Sequence, residues 1–324
     1  MQSIQNPQVP DSSTGSSTVS QSLSSLGRQP LSVSGAGLQV SRPNANLAQR
    51  RSGASHNPVM VPIAAEAQRL PLPGGGYLAY HRRNVAANDR EAGGVNLRSA
   101  PPGIIFLGGF ASDMMGTKAM ALDAYCAATG RAFVRFDYRG HGQSSGAFTD
   151  GTIGAWRDDA LAVIDQLTDG PQILVGSSMG GWLMLLSALA RPDRVHALVG
   201  LAPAPDFTEE LMWQTMDAGM QQRLMQEGRI EEPSAYSDDP YVITRALIED
   251  GRRHLLLGNA IHIDRPVRLI HGQADEDVPF SVSVRLADRL IGKDVVVSLV
   301  KDGDHRLSRS QDIERLMLAI EEVS

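Results

Sequence analysis

Residues 171–186 (PQILVGSSMGGWLMLL) constrain the fold of this chain more than any other run. They read as a short apolar strand, a Gly-x-Ser-x-Gly turn and an apolar helix, an order that sets Ser178 on a sharp exposed corner. Glycines at 176 and 180 suit a corner where backbone packs on backbone and a Cβ has no room. Met179 follows at the first helical position, where a backbone N–H has no intrahelical acceptor and can face a developing oxyanion. The pattern alone carries little weight in a chain with 32 glycines among 324 residues, and a second match stands at Gly142-Gln143-Ser144-Ser145-Gly146. That match is polar and leads into Ala-Phe-Thr-Asp-Gly, not an apolar helix, so it reads as a plain turn.

Around this run, apolar strands and helices alternate. Strands are expected at 76–81, 103–107, 132–136, 173–175, 195–201, 267–271 and 295–300. Helices are expected at 117–129, stopped by Gly130, at 153–167 and at 179–190. Such alternation predicts an α/β fold with a mostly parallel central sheet and helices on both faces. Residues 205–264 interrupt it and read as helical, with Met212, Trp213, Met216, Met220 and Met225 close together. An amphipathic helix packed on the core accounts for them, and so does a cap whose methionines adapt to an acyl chain. Residues 1–60 are rich in Ser, Gln, Gly, Pro and Asn without periodicity and are expected to be disordered, leaving 61–324 as the folded domain.

Charge and cysteine content exclude several classes. The net charge is −6, and the first 60 residues carry four arginines against one acid, so the remainder is the acidic part. Neither nucleic acid nor an anionic membrane is favoured as a partner. A lone cysteine, Cys126, allows no intrachain disulfide and no Cys-based zinc site. No stretch approaches 18 apolar residues, so no membrane span is expected. The first 60 residues lack the basic start and apolar core of a secretory signal. Their Ser-rich, acid-poor composition resembles an organelle transit segment, although the first arginine is Arg28; translation from Met60 is a further reading. The expected compartment is cytoplasmic, with the mitochondrial matrix as the alternative if residues 1–60 are a transit segment.

A serine needs a base to take its proton and an acid to orient that base, and on this scaffold they follow in the order Ser, Asp/Glu, His. His305 comes just after the last strand, in Lys301-Asp302-Gly303-Asp304-His305-Arg306, at the edge of the sheet where open α/β folds build their sites. His271 and His141 read as structural. The acid belongs in Gly272-Gln273-Ala274-Asp275-Glu276-Asp277-Val278-Pro279; Asp275 is preferred and Asp277 is its rival. Phe110, after the strand at 103–107, is expected to offer the second oxyanion N–H beside that of Met179. No metal or organic cofactor is needed for this chemistry.

Together these motifs resemble the α/β-hydrolase superfamily and, within it, the mitochondrial palmitoyl-protein thioesterase group, also described as acyl-glucuronide esterases. The resemblance rests on residues 102–106, Gly116-Thr117-Lys118-Ala119, Arg135-Phe136-Asp137-Tyr138, residues 169–178, residues 180–185 and Asp304-His305-Arg306. It implies the α/β-hydrolase fold with a helical cap insertion, and it puts Ser178, Asp275 and His305 on the triad positions. Gly108 departs from it, standing where a proline is expected.

The expected activity is a serine esterase or thioesterase that forms an acyl-enzyme on Ser178 and takes a small-molecule or acylated-protein substrate. Met212, Trp213 and Met216 are candidate acyl contacts, and Arg252 and Arg253 candidate partners for a substrate carboxylate. The alternatives are cleavage of another bond type (lactone, peptide or carbon–carbon) and a non-catalytic binding module on the same scaffold. Oligomeric state is not legible in the sequence.

Overall fold

The computed structural model describes residues 66–84, 101–232 and 241–324. The arm expected over 1–60 lies outside them. An eight-stranded sheet runs in the order β1 (Gln68–Pro71), β2 (Tyr77–Arg83), β4 (Phe133–Phe136), β3 (Gly103–Leu107), β5 (Gln172–Ser177), β6 (Val195–Leu201), β9 (Val267–Gly272), β10 (Val295–Val300). β1 pairs antiparallel with β2, and β2 antiparallel with β4; every other pairing is parallel. This is the mostly parallel sheet expected from the alternation, with one extra antiparallel edge strand.

The central strands are buried on both faces, and their residues divide by period two between two cores. Ile105, Leu107, Leu174, Leu198 and Leu269 face one core, shared with α2 (Ile153–Leu167), α3 (Met179–Ala190) and α6 (Ser281–Arg289). Ile104, Phe106, Ile173, Val175, Val199 and Ile270 face the other, closed by α1 (Thr117–Thr129) and α7 (Ser310–Glu322). Local signals fix the helix ends. Gly130 stops α1 in the left-handed conformation at φ 66°, and the Thr152 hydroxyl caps α2 by accepting from the Ala155 N–H. Met179 to Ala188 are buried without interruption, so α3 runs through the interior and meets solvent only at its last two residues.

Between β6 and β9 the chain leaves the sheet for the insertion at 205–264. Its helices are shorter than the sequence predicts. A π-helical turn at Thr208–Met212 and a 3-10 turn at Trp213–Thr215 precede α4 (Ala218–Glu227), because Asp217 caps a new helix by accepting from the Met220 N–H. A hairpin of β7 (Arg229–Glu232) and β8 (Tyr241–Thr244) then replaces expected helix, the β-branched run Val242-Ile243-Thr244 favouring a strand. α5 (Arg245–Gly251) completes it. Met216, Leu224, Ile230, Ile243 and Ile248 form a small core of the insertion's own. Asp206 accepts from the N–H groups of Leu256 and Leu257, joining the two ends of the insertion, and Asp250 accepts from Gly154 N–H at the start of α2.

Candidate active site

Ser178 stands between β5 and α3 at φ 55° and ψ −120°, a conformation that costs a non-glycine residue on the order of 1–3 kcal/mol. The surrounding backbone holds it there. A Cβ on Gly176 would lie 2.4 Å from the Gly180 carbonyl oxygen, and one on Gly180 would lie 2.1 Å from that of Leu107. The strain persists because Ser178 N–H donates to Leu201 and its carbonyl accepts from Gly181 and Ala204. Its side chain is half-buried, so the hydroxyl remains reachable.

His305 reaches this hydroxyl from the loop after β10, its Nε2 3.0 Å from Ser178 Oγ. Its Nδ1 lies 2.8 Å from Asp275 Oδ2. An ionised carboxylate only accepts, so Nδ1 carries the proton and Nε2 is left as the base facing the serine. The loops that carry the acid and the base are joined by backbone bonds from Gln273 N–H to Val300 and from Ala274 N–H to Gly303. Of the two aspartates weighed from sequence, Asp275 makes the contact to Nδ1. Asp277 is exposed, donates its N–H to Asp275 Oδ1, and brings its carboxylate near the pair. Asp275, Asp277 and His305 offer ligand atoms within 4.8 Å of one another, the spacing a cation would need, but Asp275 and His305 are already bonded to each other.

Asp275 is fully hydrogen-bonded. Oδ1 accepts from Asp277 and Val278 N–H; Oδ2 accepts from His305 and from His271 Nε2 at 3.1 Å. Burial pushes this carboxyl up, yet the bonds from His271, His305 and the Val278 N–H outweigh it and hold the group well below the usual carboxylate range. Asp275 is therefore ionised at neutral pH.

Two further groups support the site. Lys118, at the start of α1, donates its ammonium to the Arg306 carbonyl, joining the segment after β3 to the residue that follows His305. Burial pushes that ammonium down to about 8. Sequence reading quoted Lys118 only as part of a motif and gave it no role; the Gly-Thr-Lys step at a helix start was the available signal. His271 was read as structural, and its bond to Asp275 was not foreseen. The thiol of Cys126 is buried and pushed up to about 12 by that burial, which leaves it unreactive.

Of the oxyanion candidates, Met179 opens α3, so its N–H has no acceptor within the helix. Phe110 follows Gly109, whose added Cβ would sit 3.4 Å from Ser178 Cβ, so this loop runs against the serine. The Phe110 ring packs edge-on against Phe148, Trp156 and Phe207 at 4.9, 5.9 and 5.8 Å between centroids. In the insertion, Met216 belongs to the local core, with Met212 and Trp213 half-buried against it. Both arginines already hold carboxylates: Arg252 bonds Glu209 at 2.7 Å and lies over the Trp213 ring, and Arg253 pairs with Asp250.

Comparison with known proteins follows this geometry. The family described as serine aminopeptidase, S33 matches residues 103–312. The mitochondrial palmitoyl-protein thioesterase ABHD10 of Mus musculus is 42% identical over 228 residues, covering 70% of this chain and 76% of that protein. Among solved structures, a putative hydrolase from Agrobacterium vitis S4 superposes with TM-score 0.73 at 40% identity, covering 80% of this chain and 98% of its own. Alpha/beta hydrolase domain-containing protein 10 from mouse superposes with TM-score 0.70 at 38% identity, with the same two coverages. Fold, strand–turn–helix corner and matched length agree, and the chain belongs to the α/β-hydrolase family.

Proposed function

We propose that this chain is a serine hydrolase that cleaves acyl thioesters and carboxylic esters through an acyl-enzyme on Ser178. One observation carries the reading: the 3.0 Å contact between His305 Nε2 and Ser178 Oγ, with Asp275 on the far side of the ring. His305 takes the hydroxyl proton as Oγ attacks the acyl carbon, and the N–H groups of Met179 and Phe110 hold the oxyanion, each donor worth ~10²–10³ in rate. The bond from acyl carbon to the thiol or alcohol then breaks, and the leaving group takes the proton from His305. Water, deprotonated by the same ring, attacks the acyl-serine and frees the acid.

S-acyl substrates are favoured because the similar mouse protein is named a palmitoyl-protein thioesterase, and the insertion offers half-buried Met212 and Trp213 as apolar contacts under a capping role. An anionic substrate has to displace Glu209 to reach Arg252, which makes the arginines weaker candidates than the apolar side chains. The same name carries the word mitochondrial, which favours the matrix over the cytoplasm.

The test compares wild type with Ser178→Ala for fluorophosphonate labelling and for turnover of matched thioester, ester and aminopeptidase substrates. Labelling and acyl turnover present in wild type and absent in the variant are expected. Unlabelled, well-folded wild type overturns the mechanism; preferred peptide turnover keeps the serine and overturns the substrate class.

A further inference from the structure

Asp275 Oδ2 is shared by two histidines. His305 Nδ1 lies 2.8 Å from it and His271 Nε2 lies 3.1 Å from it. His271 is fully buried at the end of β9, and its Nε2 is also 2.9 Å from the Val278 carbonyl oxygen. Both neighbours of that nitrogen are acceptors, so Nε2 must carry a proton. On the other side of the ring, Nδ1 lies 2.7 Å from the hydroxyl of Ser283, a fully buried residue of α6. With a proton on Nε2, the neutral ring accepts on Nδ1 from the Ser283 O–H, which satisfies the tautomer that Asp275 and the Val278 carbonyl impose.

We propose that His271, braced by Ser283, is a positioning residue: its Nε2–H restrains Asp275 Oδ2 and tempers how strongly that oxygen holds His305. The inference rests on the serine-hydrolase reading of the site. The chain of contacts runs Ser283, His271, Asp275, His305, Ser178, from the buried face of α6 to the reachable hydroxyl. Asp275 has four acceptor directions and four donors, two peptide N–H groups on Oδ1 and two imidazoles on Oδ2, so it has no second orientation available. Removing one imidazole frees that oxygen to rotate and leaves its charge less spread. The more basic carboxylate then stabilises a protonated His305 more strongly, and the base becomes harder to deprotonate.

The titratable and charged groups around the chain are Asp275 and His305 themselves, Asp277 at the rim, and Asp304, Arg306 and the Lys118 ammonium next to His305. From α6 the contact is the uncharged Ser283, and from β10 the residue in register with His271 is Leu299. These charges are the same in every variant, so a change at His271 is read through Asp275.

The test uses the full chain with His271→Phe, which keeps a ring without a donor, His271→Gln, whose amide restores one, and Ser283→Ala, which removes only the hydroxyl bracing the far side of the ring. Rates are referred to sites titrated with fluorophosphonate. In His271→Phe, kcat falls about 10- to 100-fold. The acid limb of kcat/KM moves up by roughly half to one pH unit. Ser283→Ala shifts the limb the same way by less, and His271→Gln recovers part of both effects. Variants that melt earlier but keep the wild-type limb and kcat per titrated site overturn the proposal and leave His271 a packing residue. If His271→Phe does not fold, an unmoved limb in Ser283→Ala overturns it alone. Wild type that does not label with fluorophosphonate overturns the hydrolase reading and this inference with it, whereas labelling with unmoved limbs overturns only the inference.

Discussion

Two pentapeptides of this chain share the pattern Gly-x-Ser-x-Gly and put it to opposite uses. At 176–180 the serine itself takes the positive φ, its hydroxyl faces His305, and backbone crowds both glycines. At 142–146 the glycines take the positive φ, 45° and 101°, and the serine stays relaxed. There the Ser144 hydroxyl donates to the Asp137 carbonyl at 2.6 Å and accepts from Ala79 N–H at 2.8 Å, while Ser145 does the same with Tyr77. Hydroxyls of the second turn are consumed in tying the loop to β2; the hydroxyl of the first is left to a base. What distinguishes a nucleophile from a staple is which groups hold the oxygen, and the five-residue pattern does not encode that.

The largest contrast is expected at the serines. Ser178→Ala should lower kcat/KM by roughly 10⁴–10⁶-fold with the fold intact, the scale seen when the nucleophile of such a triad is lost. Ser144→Ala should change turnover by less than about 3-fold yet cost about 1–3 kcal/mol, because it strands a buried N–H. Initial rates and urea midpoints on both variants check this, and equal loss of activity would erase the distinction.

Glycine substitutions sharpen it next. Gly180→Ala drives a Cβ to within 2.1 Å and 2.5 Å of the Leu107 and Gly108 carbonyl oxygens, neither of which can swing away. A loss of more than about 4 kcal/mol, or failure to fold, is expected. Gly146→Ala meets nothing closer than 3.5 Å and pays only for its φ of 101°, about 1–3 kcal/mol. Denaturant titration of the pair checks the order.

The smallest effect concerns acid. His141, beside the second turn, is buried among Tyr138, Phe148 and Trp156, and burial pushes its pKa down to about 4 from 6.5. The unfolded chain therefore binds this proton first, and the stability it withholds from the unfolded state is present above pH 6.5 and lost as pH falls from 6.5 towards 4. The loss amounts to roughly 2–3 kcal/mol. His141→Phe should flatten that window, leaving the loss below the usual carboxylate range to Asp275, Asp123 and Asp250, whose carboxyls are all held low. Unfolding free energies at pH 7 and pH 4.5 measure it.

Much of this architecture was legible because the signals were local. Gly130 and Thr152 mark helix ends directly, and strands buried on both faces read as unbroken apolar runs. β1 left no such mark, since only Leu70 of its four residues is buried. The β7–β8 hairpin hid because the methionines before it suggested helix for the whole insertion, although its paired residues, Glu232 with Tyr241 out to Arg229 with Thr244, are close in sequence. Ser178, Asp275 and His305 could be proposed from chain order, and they do meet in space. The preference for Asp275 over Asp277 needed a reason that only geometry supplies, namely which carboxylate sits under His305 Nδ1. The contacts of His271 and Lys118 were illegible: Lys118 depends on a carbonyl brought in by a distant loop, and His271, though four residues from Asp275, depends on where the turn aims that carboxylate.

The carboxylate of Asp206 ties the first residues of the insertion to Leu256 and Leu257 near its close, so the excursion leaves and rejoins the sheet at one knot. Closing so long a loop there costs an entropy that grows only slowly with its length. Material between the two ends can thus be lengthened, shortened or exchanged while the strands beneath keep their register. Under the function proposed above, recognition and chemistry are in this way separately inheritable: a lineage, or an engineer, can trade one excursion for another above an unaltered Ser178, His305 and Asp275, provided the knot is kept.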